Sequence, residues 1–315
     1  MENALLTVAG LPVTSFGAGV ALSALVFLCA MGLALARQKL GYGVLVRYAV
    51  LALPLGFVLS RLFFVAANYA YYFIEMSNPL LTLYFWDGGY SASGALCGLL
   101  LAAPLCARWT KQSTGRLLDA AAWAALPALI VERLCEGLTD LGLGRTISYE
   151  ALNFLGVDDG MGGLVHPVYR YEAVLAAVIL LAVTAWVLLR RTAPRSGDVC
   201  LVILTLLGAT QPIMESLRGD GHMIIFHFVR VQQILFLGCA VAALWIFASR
   251  CGMKKSRQLL LGLVVVACIG VGILMEFRVD RGELKWLYYL VLSLCMAVIA
   301  GLALHLRRVA ERLHR

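Results

Sequence analysis

Nine runs of about twenty apolar residues follow one another along this chain, the length a helix needs to cross about 30 Å of hydrocarbon. They fall at residues 13–36, 48–74, 89–107, 117–135, 168–189, 198–216, 230–249, 259–277 and 284–306. The third is rich in Gly, Ala and Ser, and the fourth carries Glu132 and Arg133 at its end, which makes these two the weakest. A soluble globule cannot bury so much apolar surface. Of the 315 residues, 62% are hydrophobic and only 14% are charged, against about 25% charged in an ordinary soluble domain. The mean hydropathy of +0.87 points the same way. A water-soluble enzyme and a disordered chain are both excluded. The expected fold class is all-α: a polytopic transmembrane helix bundle of about nine spans.

The loops sort by charge. One set holds Arg37, Lys39 and Arg47; Arg108, Lys111 and Arg116; Arg190, Arg191 and Arg195; Arg250, Lys254, Lys255 and Arg257; and, in the tail, Arg307, Arg308, Arg312 and Arg315. These segments alternate with loops poor in Lys and Arg. The positive-inside rule makes the basic set cytoplasmic, so the N-terminus is expected outside and the C-terminus inside. The net charge of +8 is therefore a topology signal, with attraction to anionic lipid as a secondary effect. No nucleic-acid partner is expected. The first basic residue is Arg37, after the first apolar run, so no cleavable signal peptide is expected.

Ionisable residues within or at the ends of spans are costly in lipid and mark functional sites by default. Arg61 sits inside the second run. Glu132, Arg133 and Glu136 cluster at the end of the fourth. Arg170 and Glu172 open the fifth, just after His166 and Pro167. Glu215, Arg218 and Asp220 close the sixth, followed by His222, His227 and Arg230. The pairs Arg133/Glu136 and Glu215/Arg218 are three apart and would share a helix face. By the topology above, all but Arg61 lie at the outer leaflet, and the long Arg61 side chain reaches toward the same depth. Arginines converging at headgroup depth suit a phosphate, because the guanidinium fork grips its oxygens at two points. The alternative is ion pairs that only tie helices together.

The segment WDGGYSASGALCG, residues 86–98, is the other unusual stretch. Gly88 and Gly89 permit a tight turn, and the small residues after them, including Ser93 and Gly94, allow close approach of a headgroup or a neighbouring helix. The nine cysteines form no Cys-x-x-Cys pair and read as small core residues. His222 and His227 lack a third ligand, so no metal site is expected. No cofactor motif is present.

In their order these segments resemble the bacterial prolipoprotein diacylglyceryl transferase family. Ser60-Arg61-Leu62, with Asn78-Pro79 after it, resembles the family's Gly-Arg-Leu helix and Asn-Pro loop. Residues 86–98 align without a gap on its W-x-G-G-M-S-F-H-G-G-L-x-G. His166-Pro167 with Tyr171-Glu172-Ala173 is similar to its H-P-S-Q-L-Y-E-A, and Glu215 through Arg218 with Asp220 to its E-x-x-R-x-x-D turn. The resemblance covers about residues 15–250. There are departures. The family's histidine falls on Ser93, the glycine after the next one on Ala95, and the asparagine of its G-R-I-G-N-F-I-N segment on Glu136, while Arg133 keeps the arginine. Asp140 is the nearest counterpart of the acidic residue that follows.

The resemblance implies transfer of diacylglycerol from a phosphatidylglycerol-like phospholipid to the lipobox cysteine of a preprolipoprotein, with release of glycerol phosphate, in the bacterial cytoplasmic membrane. No cofactor is implied. Arg133, Glu136 and Arg218 are the expected catalytic residues. Arg61, Gly88, Gly89, Ser93, Gly94, His166, Tyr171, Glu172 and Glu215 are the expected substrate-binding ones. Lacking the family histidine, the thiol needs another proton acceptor; Glu136 comes first, with Glu172 and His166 as alternatives. A non-catalytic protein that binds phospholipid or lipoprotein precursor stands as the second reading. A transporter is disfavoured because Pro54, Pro104, Pro127 and Pro212 follow no repeat. Residues 1–258 are expected to form the seven-helix transferase-like domain. Residues 259–315 are expected to form a two-helix extension with a basic cytoplasmic tail.

Overall fold

The computed structural model describes residues 4–8, 11–76, 78–85, 88–139, 142–190, 192–219, 224–225 and 229–313. Nine long helices dominate it: α1 (Ser15–Arg37), α2 (Tyr42–Ala67), α3 (Ala92–Thr110), α4 (Thr114–Glu136), α5 (Val168–Leu188), α6 (Asp198–Leu217), α7 (Val231–Arg250), α8 (Lys255–Arg281) and α9 (Lys285–Leu313). Eight are long and apolar enough to cross a membrane. The ninth, α4, has the length but carries Arg116, Asp119, Glu132, Arg133 and Glu136. Large apolar side chains such as Leu25, Val50, Leu181, Leu263 and Val266 stay exposed along the helices, as lipid-facing positions do. The chain is a multi-pass membrane protein.

The chain forms two compact units. The first comprises residues 1–200 and 217–221. Its apolar core joins α1 to α4 around Phe27, Met31, Leu35, Tyr48, Cys106 and Leu117. Polar groups buried there find partners. Tyr48 donates its hydroxyl to the Leu99 carbonyl at 2.7 Å, and Ser23 donates to the Ala128 carbonyl at 2.8 Å. The Asp119 carboxylate accepts the N–H groups of Gly197 at 2.7 Å and Cys200 at 2.8 Å, capping the start of α6.

The second unit comprises residues 201–216 and 222–315. Leu244, Phe247, Leu261, Val265, Ala303 and Leu306 form one of its cores, and Ala209, Ala240, Leu292, Met296 and Ile299 another. Here α9 packs against both α7 and α8.

The second helix departs from the apolar run that suggests it. It begins at Tyr42 and ends at Ala67, with Asn68 in a non-helical conformation and a π-helical turn over Tyr71–Glu75 beyond it. Arg61 therefore lies within two turns of the helix end rather than at mid-span. The last helix runs on through most of the basic tail to Leu313.

Short strands also occur in the loops, where the apolar periodicity signals none. A hairpin pairs β1 (Ala4–Val8) with β2 (Leu11–Thr14). The antiparallel sheet of β3 (Leu143–Thr146), β4 (Val157–Asp158) and β5 (Leu164–Pro167) has the order β3-β5-β4. A third pair joins β6 (Ile224–Ile225) to β7 (Val229–Arg230).

Candidate functional site

The site is built where α4 ends, α5 begins and the chain leaves α6. Arg133 and Glu136 stand three apart in the last turn of α4 and meet on one face, with Nη1 to Oε2 at 2.6 Å. Glu172 lies in the second turn of α5. Its Oε2 accepts from Arg218 Nη1 at 3.0 Å and lies 3.5 Å from Arg133 Nη1. Arg218 closes the ring by donating from Nη2 to Glu136 Oε1. Glu132 adds a third carboxylate, its Oε2 3.2 Å from Arg133 Nε. Arg133, Glu136, Glu172 and Arg218 are all buried, Glu172 completely. Charges withdrawn from water persist only when paired and hydrogen-bonded, and each of these four is paired with another of opposite sign. Among the described residues, Glu172 Oε1 has no hydrogen-bond partner.

The loop sheet brings Arg218 to this ring. α6 stops at Leu217, and Arg218 forms an antiparallel bridge with Gly144 of β3. The helical spacing expected for Glu215 and Arg218 therefore does not apply, because Arg218 is in extended backbone. Gly219 N–H donates to the Leu143 carbonyl at 3.0 Å, and Tyr169 N–H to the Gly142 carbonyl at 3.1 Å. Gly142 takes φ +78°, a left-handed conformation that L side chains rarely adopt. A Cβ there would stand 3.1 Å from Glu136 Cδ. One strand thus ties the ends of α4, α5 and α6 together.

Arg61 forms a second centre. Its Nε donates to Thr82 O at 3.1 Å, Nη1 to Gly88 O and to Gly89 O at 3.0 Å, and Nη2 to Leu81 O and Tyr84 O, each at 3.1 Å. All five guanidinium N–H groups thus hold the backbone of the loop between α2 and α3. Gly89, at φ +76°, leaves no room for a side chain, since a Cβ would meet Arg61 Nη1 at 2.7 Å and Phe64 Cε1 at 2.5 Å. Arg61 lines a cavity of about 360 Å³ with Phe64, Asn68, Tyr71, Tyr72 and Gly88. Its guanidinium stands 5.6 Å from the Tyr72 ring centre and 5.9 Å from that of Phe64, within cation–π range.

Ser93 and Gly94 are placed between helices. The Ser93 hydroxyl is 2.7 Å from that of Ser91. Ser91 N–H donates to the Ser60 hydroxyl at 2.8 Å, and the Ser60 hydroxyl donates back to the Ser91 carbonyl at 2.8 Å. Gly94 and Gly98 lie against the backbone of α2 near Ser60 and Gly56, so small residues four apart on both helices allow the close approach.

His166, in β5, faces Tyr171, its Nδ1 3.3 Å from the phenol oxygen. Burial pushes the His166 pKa below the ordinary 6.5, favouring the neutral ring. Glu215 belongs to the second unit, where its Oε2 lies 3.8 Å from Arg230 Nε.

The sequence reading missed Gly142, Gly144 and Tyr169, although a Gly-x-Gly shortly after a charged helix end marks a tight strand entry. It also missed the turn between β4 and β5. There Asp159 Oδ1 accepts from Met161 N at 2.8 Å and Gly163 N at 2.9 Å, which holds its carboxyl below the usual range. Trp86, Asp87, Asp140, Asp220, His222 and His227 lie outside the described residues.

The family model described as prolipoprotein diacylglyceryl transferase matches residues 3–249. Three relatives are named phosphatidylglycerol–prolipoprotein diacylglyceryl transferase. That of Oleidesulfovibrio alaskensis is 31% identical over 218 residues, 68% of this chain and 77% of the relative. That of Clostridium novyi is 27% identical over 216 residues, 66% of this chain and 81% of the relative. That of Lysinibacillus sphaericus is 25% identical over 220 residues, 66% of this chain and 78% of the relative.

Proposed function

Because the chain belongs to the prolipoprotein diacylglyceryl transferase family, we propose that it moves diacylglycerol from phosphatidylglycerol to the lipobox cysteine of a preprolipoprotein, releasing glycerol phosphate. It does so in the bacterial cytoplasmic membrane, with the N-terminus outside and the ring of Arg133, Glu136, Glu172 and Arg218 at the outer leaflet. Residues 1–258 carry the reaction, and residues 259–315 form an extension with a basic cytoplasmic tail.

The observation that carries this reading is the convergence of two buried guanidinium groups, Arg133 and Arg218, on shared carboxylates. A phosphodiester offers the same kind of oxygens to the same forks. As the glyceryl carbon–oxygen bond breaks, negative charge grows on the leaving phosphate, and fixed cations in a site shielded from water stabilise it strongly. Arg61, Gly88 and Gly89 border the cavity assigned to the substrate. His166 and Tyr171 flank the start of α5, where Glu172 orients both arginines. Ser93 and Gly94 set the α2–α3 contact beside the substrate loop. The thiol attacks best as thiolate, so a proton acceptor is required, and Glu136 takes that role.

The test mixes purified protein, phosphatidylglycerol labelled in its headgroup glycerol and a lipobox peptide, with Arg133→Ala alongside. Release of labelled glycerol phosphate that requires both the peptide and Arg133 supports the transferase. Lipid held in an Arg133-dependent way without any release would instead favour the non-catalytic binding protein.

A further inference from the structure

We infer that the Glu136 carboxylate is an internal stand-in for the donor phosphodiester, and that its displacement by the lipid turns it into the proton acceptor for the thiol. This deepens the transferase reading and rests on it. Glu136 gives one oxygen to each arginine, Oε2 to Arg133 Nη1 at 2.6 Å and Oε1 to Arg218 Nη2. Two anionic oxygens spanning two guanidinium groups is the arrangement a phosphodiester would adopt with its non-bridging oxygens.

The space is already filled. The Gly142 backbone lies against the carboxylate, near enough that a Cβ would stand 3.1 Å from Glu136 Cδ. Glu172 gives a single oxygen to both arginines, and its fully buried Oε1 has no partner among the described residues. That orphan acceptor marks a ring built to take a further hydrogen-bond donor. A protonated Glu136 or a glycerol hydroxyl would supply one.

The sequence of events follows from charge. In the resting ring the guanidinium groups hold Glu136 as an anion. The lipid phosphate takes its place on Arg133 and Arg218. A carboxylate freed of both cationic partners accepts a proton more readily, so the base becomes competent only when the donor is bound. The S–H proton passes to Glu136. The thiolate sulfur forms a bond to the glyceryl carbon as that carbon's bond to the phosphate oxygen breaks. The electron pair leaves on the phosphate, and the Glu136 proton follows it to give glycerol phosphate as a monoanion. Donor binding before the thiol becomes reactive is the built-in order.

The experiment uses the full chain in mixed micelles, reading retention of labelled phosphatidylglycerol and release of glycerol phosphate with a lipobox peptide. Glu136→Gln removes the competing anion and the base together. It is expected to bind phosphatidylglycerol about tenfold tighter, the equivalent of one charge-assisted contact no longer opposed, and to turn over about 10²-fold more slowly. Glu136→Asp keeps the base but is too short to span both arginines. Its KM for phosphatidylglycerol is expected to fall while kcat stays within about tenfold of wild type. Unchanged or weaker binding by a folded Glu136→Gln, or undiminished turnover by it, overturns the inference. If that variant does not fold, an unchanged KM in Glu136→Asp overturns it. A wild-type protein that releases no glycerol phosphate overturns the transferase reading itself, whatever the binding shows.

Discussion

Gly144 and Arg218 are partners in an antiparallel bridge, and through that bridge a guanidinium from beyond α6 reaches carboxylates on α4 and α5. Gly144 has no room for a side chain, since a Cβ would lie 2.7 Å from both His166 O and Val168 Cγ2. Gly144→Val is expected to destabilise the protein by about 1–3 kcal/mol, as overpacking does, and to reduce transfer more than its loss of stability explains. Thermal unfolding in detergent, followed by tryptophan fluorescence, and glycerol phosphate release check the two halves separately.

Arg218→Ala leaves Glu136 and Glu172 facing each other in a buried site without one of their cations. Breaking a buried pair in this way costs about 3–5 kcal/mol. Arg218→Lys keeps the charge but lacks the planar fork that reaches both carboxylates. The lysine variant is expected to fold yet lose at least about tenfold in transfer rate, roughly one charge-assisted contact. A lysine variant with wild-type kcat/KM would contradict the two-point grip.

Gly98→Leu tests the α2–α3 contact. A Cβ at Gly98 would stand 2.5 Å from Gly56 Cα, backbone that cannot yield as a flexible side chain would. The cost is expected to be about 1–3 kcal/mol. Because Gly89 and the Arg61 loop lie on the connection into α3, protection of backbone amides at 80–85 and 88–90 from hydrogen exchange should fall with it. Unaltered protection would separate the loop from the helix contact.

His166 carries a pH prediction. Its folded pKa is depressed by burial below the ordinary 6.5. The unfolded chain therefore binds a proton that the folded chain resists, and stability rises with pH. The contribution is fully present above about pH 6.5 and is lost as pH falls from there through the lower folded value. His166→Gln removes that slope. Unfolding midpoints of the two proteins, measured between pH 5 and 8 as the window in which an imidazole titrates, should converge at acid pH and diverge toward neutral.

Long apolar runs made the helices legible in the amino-acid sequence, and the three-residue spacing of Arg133 and Glu136 made their pairing legible as well. Glu172 and Arg218 were visible as charges in the wrong place, but not as partners. They meet across 46 positions, and Arg218 meets Glu136 across 82. That closure depends on strands of two to four residues, too short for an alternating pattern to register. The true end of α2 was hidden for a different reason. The run continues through aromatic residues past Ala67, and hydropathy does not report a helix turning into a π-turn. Nor did the sequence reveal that Arg61 holds a loop, because its acceptors are main-chain carbonyls, which every residue possesses.

The loop after α2 takes its shape from one side chain acting on the carbonyls of Leu81, Thr82, Tyr84, Gly88 and Gly89. Replacing Leu81 leaves its carbonyl in place, so that side chain can change without loss of the contact, while Gly89 has no room for a side chain and the arginine supplies every donor. Among descendants of this chain, a change of the arginine would cost the loop its shape, whereas a change at Leu81 would not. Much of its architecture would be inherited through a residue 20 to 28 positions away rather than through its own letters.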